Sequence, residues 1–158
     1  MNGTLTLVTI DAADVGAVAD FYGQFAGWDR RFVEDGWITM RTTDGWGICL
    51  QEATNHLPPR WPDPAFPQQI HLDLGVRDLD AATQRAVSLG AVHLGTADGW
   101  HTLADPAGHP FDLCLSADTA DLSILAVTLD APDAPRLAEF YARILGLSVT
   151  HESERGIL

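Results

Sequence analysis

Apolar residues recur with helical spacing in three segments of the chain. In each segment they fall at positions i, i+3, i+7 and i+10 after an aspartate, Asp14, Asp78 or Asp133. This spacing places the apolar side chains on one helix face, and an aspartate suits the N-cap because its carboxylate accepts bonds from first-turn amides. We therefore predict three helices, each with one buried stripe and a glycine at its end. The stripes are Val15, Val18, Tyr22, Phe25; Leu79, Ala82, Ala86, Leu89; and Ala134, Leu137, Tyr141, Ile144, followed by Gly27, Gly90 and Gly146.

The three helical segments belong to a repeated unit. Residues 11–27 match residues 130–146 without a gap at an offset of 119 residues. A weaker copy begins at Ile70, where an apolar strand again leads through an aspartate into a helix. Self-similarity of this kind indicates a repeated supersecondary unit, here present three times.

The segments after the first two helices have the alternation and turn signals of β-strands. We predict strands at residues 30–34, 37–41 and 46–51 in the first copy and 92–94, 100–103 and 111–115 in the second. With the strand before each helix, this gives a βαβββ module and an α+β fold. We expect a domain over 1–117, with modules at 1–52 and 68–117 joined by a proline-rich linker at 53–67. An incomplete third module follows at 122–158.

Charge and composition exclude several classes of function. The chain has 9 basic and 22 acidic residues and a formal charge of −13, which repels nucleic acid and anionic lipid. We find no apolar run of the roughly 20 residues needed to cross a bilayer, and the N-terminus lacks the pattern of a secretory signal. We therefore expect a cytoplasmic protein that binds neither nucleic acid nor membrane, with Cys49 and Cys114 reduced.

Four segments carry a resemblance to a known family. They are DFYGQFAGW, EFYARILGL, WPDPAFPQQIHLDLGVRDLDAA and WHTLADPAGHPFDLCL. Together they resemble the vicinal oxygen chelate superfamily, which includes glyoxalase I, extradiol dioxygenases and bleomycin-resistance proteins, and in particular its small glyoxalase-like domains. The resemblance implies paired βαβββ modules whose mixed sheets curl around a cavity.

Strand alternation places polar side chains of the second module on one face. His71 and Asp73 alternate with apolar residues of one strand, and Asp112 and Cys114 alternate with those of another. The resemblance implies that these four side chains line the cavity. In metal-dependent relatives each module gives one ligand from its first strand and one from its last, which implies His71 and Asp112 here.

The first module departs from that ligand pattern. Its first-strand position holds Leu7, and its last strand offers Cys49 or Gln51. A catalytic divalent ion normally has about three protein ligands. No cofactor follows with certainty, and a divalent ion remains one alternative beside a metal-free polar pair of His71 and Asp112. A third ligand from His101 or His56 is also open, as is an ordinary hydrogen-bonding role for each. We expect His109 at the surface of a turn.

Aromatic residues extend the candidate site. Trp37, Trp46 and Trp100 lie on or beside strands expected to border the cavity, where aromatic walls suit small organic ligands, although ordinary sheet packing is an equal alternative. The candidate ligand-binding residues are His71, Asp73, Asp112, Cys114, Trp37, Trp46, Trp100, His101 and Gln51.

Three classes of function follow. The first is a binding domain that encloses a small organic molecule and sequesters a drug or metabolite, as the resemblance implies. The second is a divalent-metal-dependent lyase, isomerase or dioxygenase. The third is a partner-binding remnant, because half a module cannot bury its own helix stripe. For that reason we also expect residues 122–158 to dock on the first domain or a second chain and form a homodimer.

Overall fold

The computed structural model describes residues 6–63, 65–66, 69–117, 122–153 and 156–157. The predicted modules 1–52, 68–117 and 122–158 and the linker 53–67 therefore each include residues outside the described ranges. All three predicted helices are present, and strands precede them as expected. The elements in chain order are β1 Leu7–Ala12, α1 Val15–Ala26, β2 Asp29–Glu34, β3 Trp37–Arg41, β4 Gly47–Glu52, β5 Ile70–Val76, α2 Leu79–Ser88, β6 Val92–Ala97, β7 Trp100–Ala104, β8 Pro110–Leu115, β9 Ser123–Leu129, α3 Ala134–Leu145, β10 Glu152–Ser153 and β11 Gly156–Ile157.

The aspartates begin the helices as predicted. The side chains of Asp14, Asp78 and Asp133 accept hydrogen bonds from first-turn amides of α1, α2 and α3. Gly27 and Gly146 follow α1 and α3 in the left-handed conformation, each with φ of 69°, which a residue without Cβ adopts at low cost. The local sequence therefore determines where the repeated helix begins and ends.

The described strands form two mixed sheets that are not closed into a barrel, and β10 and β11 form a separate antiparallel pair. The first has the order β1-β4-β3-β2, with β1 parallel to β4, and the second has the order β6-β7-β8-β5-β9, with β5 parallel to β8. Together with three helices, these sheets confirm the predicted α+β fold of βαβββ modules. The first strand of the third copy, β9, is antiparallel to β5 and occupies the edge of the second module's sheet.

Aromatic packing joins the first two modules. Phe21, Tyr22 and Phe25 of α1 lie against Phe111 of β8, with ring centroids 6.1 to 6.2 Å apart. These four side chains are at most 3% exposed and belong to one apolar core that spans both modules. Burial of these large aromatic surfaces stabilises the junction between the modules.

The third helix is not covered in the same way. Phe140 and Tyr141 occupy the repeat positions of Phe21 and Tyr22, yet they are 53% and 39% exposed, and α3 has no buried residue. The apolar stripe predicted for α3 is thus present, and β11 contacts this helix, but the described residues leave Phe140, Tyr141 and Ile144 exposed. None of the three helices has the length and apolarity needed to cross a membrane.

Candidate functional site

Two parallel strands bring the polar residues of the second module together. In the register of β5 and β8, Asp73 lies beside Asp112. Leu72 and Leu74 of β5 are buried in the core, so alternation directs His71 and Asp73 to the opposite face of the sheet. The predicted grouping of His71, Asp73 and Asp112 is therefore what the strand register produces.

The three side chains form a compact cluster. The Nε2 atom of His71 lies 3.5 Å from Oδ1 of Asp73 and 3.8 Å from Oδ2 of Asp112. One potential ligand atom from each residue lies within 4.8 Å of the others. The side chains are 15%, 21% and 17% exposed for His71, Asp73 and Asp112, so the cluster is shielded but reachable.

Two threonines hold the carboxylates from neighbouring strands. Thr102 of β7 donates its hydroxyl to Oδ1 of Asp112 at 2.6 Å, and Thr128 of β9 donates to Oδ2 of Asp73 at 2.9 Å. In each case the other carboxylate oxygen lies toward His71. The Oδ1 atom of Asp73 is buried and has no hydrogen-bond partner in the part of the chain that the structure describes.

The cluster is electrostatically unfavourable to further negative charge. Burial raises the pKa of Asp73 above its usual value, and the neighbouring Asp112 carboxylate raises it too, while the Thr128 hydrogen bond and His71 act in the opposite direction. Burial, together with the charges of Asp73 and Asp112, raises the pKa of the Cys114 thiol to about 12. A cation bound between the two carboxylates would relieve this repulsion.

The donor set fits a divalent metal ion. One imidazole nitrogen and two carboxylate oxygens suit hard or borderline divalent ions, and three protein ligands leave positions for water or substrate. The buried Oδ1 of Asp73 without a partner is the kind of atom that a cation would satisfy. The three residues thus fit the metal that the family pattern implies, although all three belong to one module.

Two other predicted residues lie on the cluster's face of the sheet. Trp100 of β7 pairs with Cys114 of β8, two residues along each strand from the pair of Thr102 and Asp112. Both Trp100 and Cys114 are half-buried. These two side chains therefore border the cluster on its β7 side.

The first module does not contribute to the cluster. Trp37 and Gln51 are cross-strand partners in the first sheet, and Trp46 packs against the shared core just before β4. Cys49 is fully buried, and burial raises the pKa of its thiol. Leu7, at the position where the family pattern expects a ligand, is 41% exposed. Trp37, Trp46 and Gln51 are therefore residues of the first module, and none of the three is among the described residues that line the cavity beside His71.

His101 lies on the other side of the second sheet, contrary to the expectation that it lines the ligand site. Its Nδ1 atom is 2.9 Å from the hydroxyl of Thr83 on α2, and the residue is buried. The reason is alternation along β7, which turns Trp100 and Thr102 toward the cluster and His101 toward the helix. His56 contacts the carbonyl of Ala107 at 3.1 Å and is likewise outside the cluster.

His109 differs from the expected surface residue. Its Nδ1 atom lies 3.3 Å from Oδ2 of Asp105, its side chain is 12% exposed, and Asp105 is fully buried. The Asp105 carboxylate also accepts hydrogen bonds from the backbone amides of Ala107 and His109 and, at 3.4 Å, from the hydroxyl of Tyr22. These contacts anchor the turn before β8 to helix α1.

A cavity of about 670 Å³ lies between β1 and β5. Of the predicted site residues, only His71 lines it. Its wall includes Thr9, Asp11, Gln69 and His109. The cavity has the size of sites that hold small organic ligands, which are typically about 300–1,000 Å³. His71 is thus shared between the cluster and the cavity.

Sequence comparison assigns the class of protein that this fold and cluster suggest. A family model described as a glyoxalase-like domain matches residues 7–114. The chain therefore belongs to the glyoxalase-like domain family, which confirms the resemblance to the vicinal oxygen chelate superfamily. None of the curated proteins shows significant similarity to the sequence.

Solved structures share the fold at low sequence identity. A glyoxalase-related enzyme from Fulvimarina pelagi is 23% identical with a TM-score of 0.59, covering 81% of this chain and 99% of its own. The fosfomycin resistance protein FosX from Listeria monocytogenes is 16% identical with a TM-score of 0.58, and the match covers 75% of this chain and 94% of the FosX chain. A variant of FosX from the same organism was solved in complex with Mn(II) and 1S,2S-dihydroxypropylphosphonic acid. It is 16% identical with a TM-score of 0.54, and the match covers 72% of this chain and 90% of the FosX chain.

Proposed function

We propose that the protein binds a divalent metal ion through His71, Asp73 and Asp112 and acts on a small organic molecule with oxygen donors. The observation that carries this proposal is the convergence of one imidazole nitrogen and two carboxylate oxygens within 4.8 Å. The fold shared with FosX, which was solved with Mn(II), supports a manganese-like ion. When bound, such an ion would act as a Lewis acid that polarises substrate oxygens.

The chain's own residues would orient and shield the substrate. Thr102 fixes the Asp112 carboxylate, and His71 connects the cluster to the cavity between β1 and β5. Half-buried Trp100 would provide an apolar wall on the β7 side. The two carboxylates of the cluster repel the electron-rich oxygens of a substrate. Such oxygens would therefore bind at the cluster only after a cation has balanced the carboxylate charges. The expected reaction classes are those of a lyase, isomerase or dioxygenase.

Elemental analysis tests the metal proposal. Protein purified without chelator is expected to contain close to one divalent ion per chain, and His71→Ala is expected to lose it. His93→Ala is the matched control, because His93 lies on β6, is exposed and contacts the carbonyl of Gly95. Absence of metal from the wild-type protein, together with no uptake of added Mn²⁺, Zn²⁺ or Mg²⁺, would refute the proposal.

A metal-free binding function is the second candidate. Within the cluster Nε2 of His71 lies 3.5 Å from Oδ1 of Asp73 and 3.8 Å from Oδ2 of Asp112, so the three side chains contact one another without a metal. The cavity beside it has room for a drug-sized molecule, which favours sequestration of a drug or metabolite in the cytoplasm. This candidate predicts that a ligand stabilises the metal-free protein and that Thr9→Trp, which places a larger side chain in the cavity wall, abolishes the stabilisation. Equal stabilisation of the variant would count against the cavity.

We also propose that a second copy of the chain covers α3. The repeat positions of Phe140 and Tyr141 are buried in α1, which indicates that the α3 sequence is built for a covered face. Contiguous exposed apolar surface of this kind marks interaction sites. Sedimentation analysis is expected to show a dimer that Phe140→Asp converts to a monomer. A wild-type monomer at high micromolar concentration would contradict the homodimer.

A further inference from the structure

The β5–β9 pair has a local two-fold arrangement. His71 and Ala126 both lie seven residues before the N-cap aspartate of their modules, and Asp73 and Thr128 both lie five residues before it. In the antiparallel register His71 is opposite Thr128, and Asp73 is opposite Ala126. The corresponding positions of the second and third modules therefore face each other across the strand pair.

This arrangement brings the third module into the cluster. Thr128 lies on the same face of the sheet as His71 and Asp73, and its hydroxyl donates to Oδ2 of Asp73 at 2.9 Å. The first module, by contrast, contributes no His, Cys, Asp or Glu of its described residues to the cluster. The strand β9, with Thr128, thus forms the side of the site opposite β8.

The hydrogen bond determines which carboxylate oxygen of Asp73 is available. With Oδ2 engaged by Thr128, Oδ1 remains 3.5 Å from Nε2 of His71 and has no other partner among the described residues. A β-branched side chain such as threonine is restricted at χ1, so its hydroxyl is held in place by the backbone of β9. A carboxylate without this bond could rotate away from His71.

We propose that Thr128 is a positioning residue for the metal site and that the third module is a working part of that site. The proposal rests on the proposed function of the cluster as a cation site. Thr102 has the same relation to Asp112, but it belongs to the second module itself. Thr128 lies outside the family match at residues 7–114, and its hydrogen bond to Asp73 connects this later part of the chain to the cluster.

Three variants of the full chain separate positioning from a role in folding. Thr128→Val removes the hydroxyl with little change in shape and keeps a strand-forming residue in β9. Thr128→Ser restores a hydroxyl, and Thr128→Ala provides a second variant without one if the valine variant does not fold. Thr96→Val is the matched control, because Thr96 is an exposed threonine on β6 that contacts His93.

The first readout is the affinity for Mn²⁺ measured by isothermal titration calorimetry. Loss of an outer partner of a metal ligand typically weakens metal binding by about 10–100-fold, so we expect Thr128→Val to bind roughly tenfold more weakly. Thr128→Ser and Thr96→Val are expected to stay within about twofold of the wild type. Wild-type affinity in both Thr128→Val and Thr128→Ala would overturn the proposal.

The second readout uses metal-free protein and does not depend on the proposed function. The carboxylate ¹³C signal of Asp73 and the ring ¹⁵N signals of His71 are recorded by NMR at one pH. We expect both to shift in Thr128→Val and to return toward the wild-type values in Thr128→Ser. Unchanged His71 signals would show that Thr128 does not position Asp73. If the wild type binds no Mn²⁺ while these shifts occur, the cation-site function fails but the positioning contact stands.

Discussion

Asp73 lies directly beside Asp112 in the parallel register of β5 and β8. Burial is the main cause of the raised pKa of Asp73, and repulsion from the adjacent Asp112 carboxylate raises it further. A bound cation would balance both carboxylates, which is why this pair of residues supports the proposed cation site.

Asp112→Asn is expected to stabilise the metal-free protein. The amide keeps an oxygen that can accept the Thr102 hydrogen bond but removes the repulsion with Asp73, which for a direct cross-strand pair is worth roughly 0.2–1 kcal/mol. Urea unfolding in the presence of a chelator, at pH 8, measures the change. Asp98→Asn, on the exposed turn between β6 and β7, serves as control. A clear loss of stability in Asp112→Asn would contradict this explanation of the cluster.

Stability is expected to fall above about pH 10. Tyr22 is completely buried beside Asp105, and burial, followed by the Asp105 charge and hydrogen bond, raises its pKa well above the ordinary value of 10.0. The unfolded chain therefore loses the phenol proton before the folded chain does, so the free energy of unfolding decreases with pH, by up to about 1.4 kcal/mol per pH unit for this group. Denaturant unfolding between pH 9 and 11 should show a shallower decline in Tyr22→Phe. Identical slopes would refute the assignment.

Cys114 is expected to react slowly with alkylating reagents. Its pKa of about 12 leaves very little thiolate at pH 8, and the thiolate is the reactive form. Mass spectrometry after iodoacetamide treatment should show rapid modification only in denaturant. Cys49→Ser isolates the signal of Cys114, since Cys49 is the only other cysteine. Rapid modification of native Cys49→Ser protein would contradict this prediction, because it would show that the Cys114 thiol is more exposed or has a lower pKa.

The repeat provides a matched pair of core substitutions. Phe21→Ala removes a buried ring that contacts Phe111, which is expected to cost about 3–5 kcal/mol at any protein concentration. Phe140→Ala affects the equivalent ring on exposed α3, so its cost should appear only at concentrations where the dimer forms. Thermal unfolding at several concentrations distinguishes the two. A cost for Phe140→Ala that is large and independent of concentration would indicate that α3 packs within its own chain.

The local elements were predictable because each depends on nearby residues. The aspartate caps and the helical stripes specify α1, α2 and α3 within a few residues. Alternation along β5 and β8 indicates the shared face on which His71, Asp73 and Asp112 lie within 4.8 Å of one another. The side of β7 was harder to assign, because one residue of register decides whether His101 or Thr102 faces the cluster.

The role of β9 could not be read from the sequence. Whether this strand pairs with β5, with another strand or with another chain depends on long-range contacts that leave no local signal. The contact between Thr128 and Asp73 follows only from that pairing. The sequence signal available in retrospect is the repeat itself, since Thr128 occupies the position of Asp73 relative to its helix cap.

The most direct test of the metal site is an anomalous diffraction map from a crystal soaked in MnCl₂. The expected result is one strong peak within bonding distance of Nε2 of His71 and of one oxygen each of Asp73 and Asp112. The same map from Asp112→Asn crystals should lack the peak. A wild-type map with no density at the cluster, or with manganese bound only elsewhere, would contradict the proposal that these three residues form a metal site.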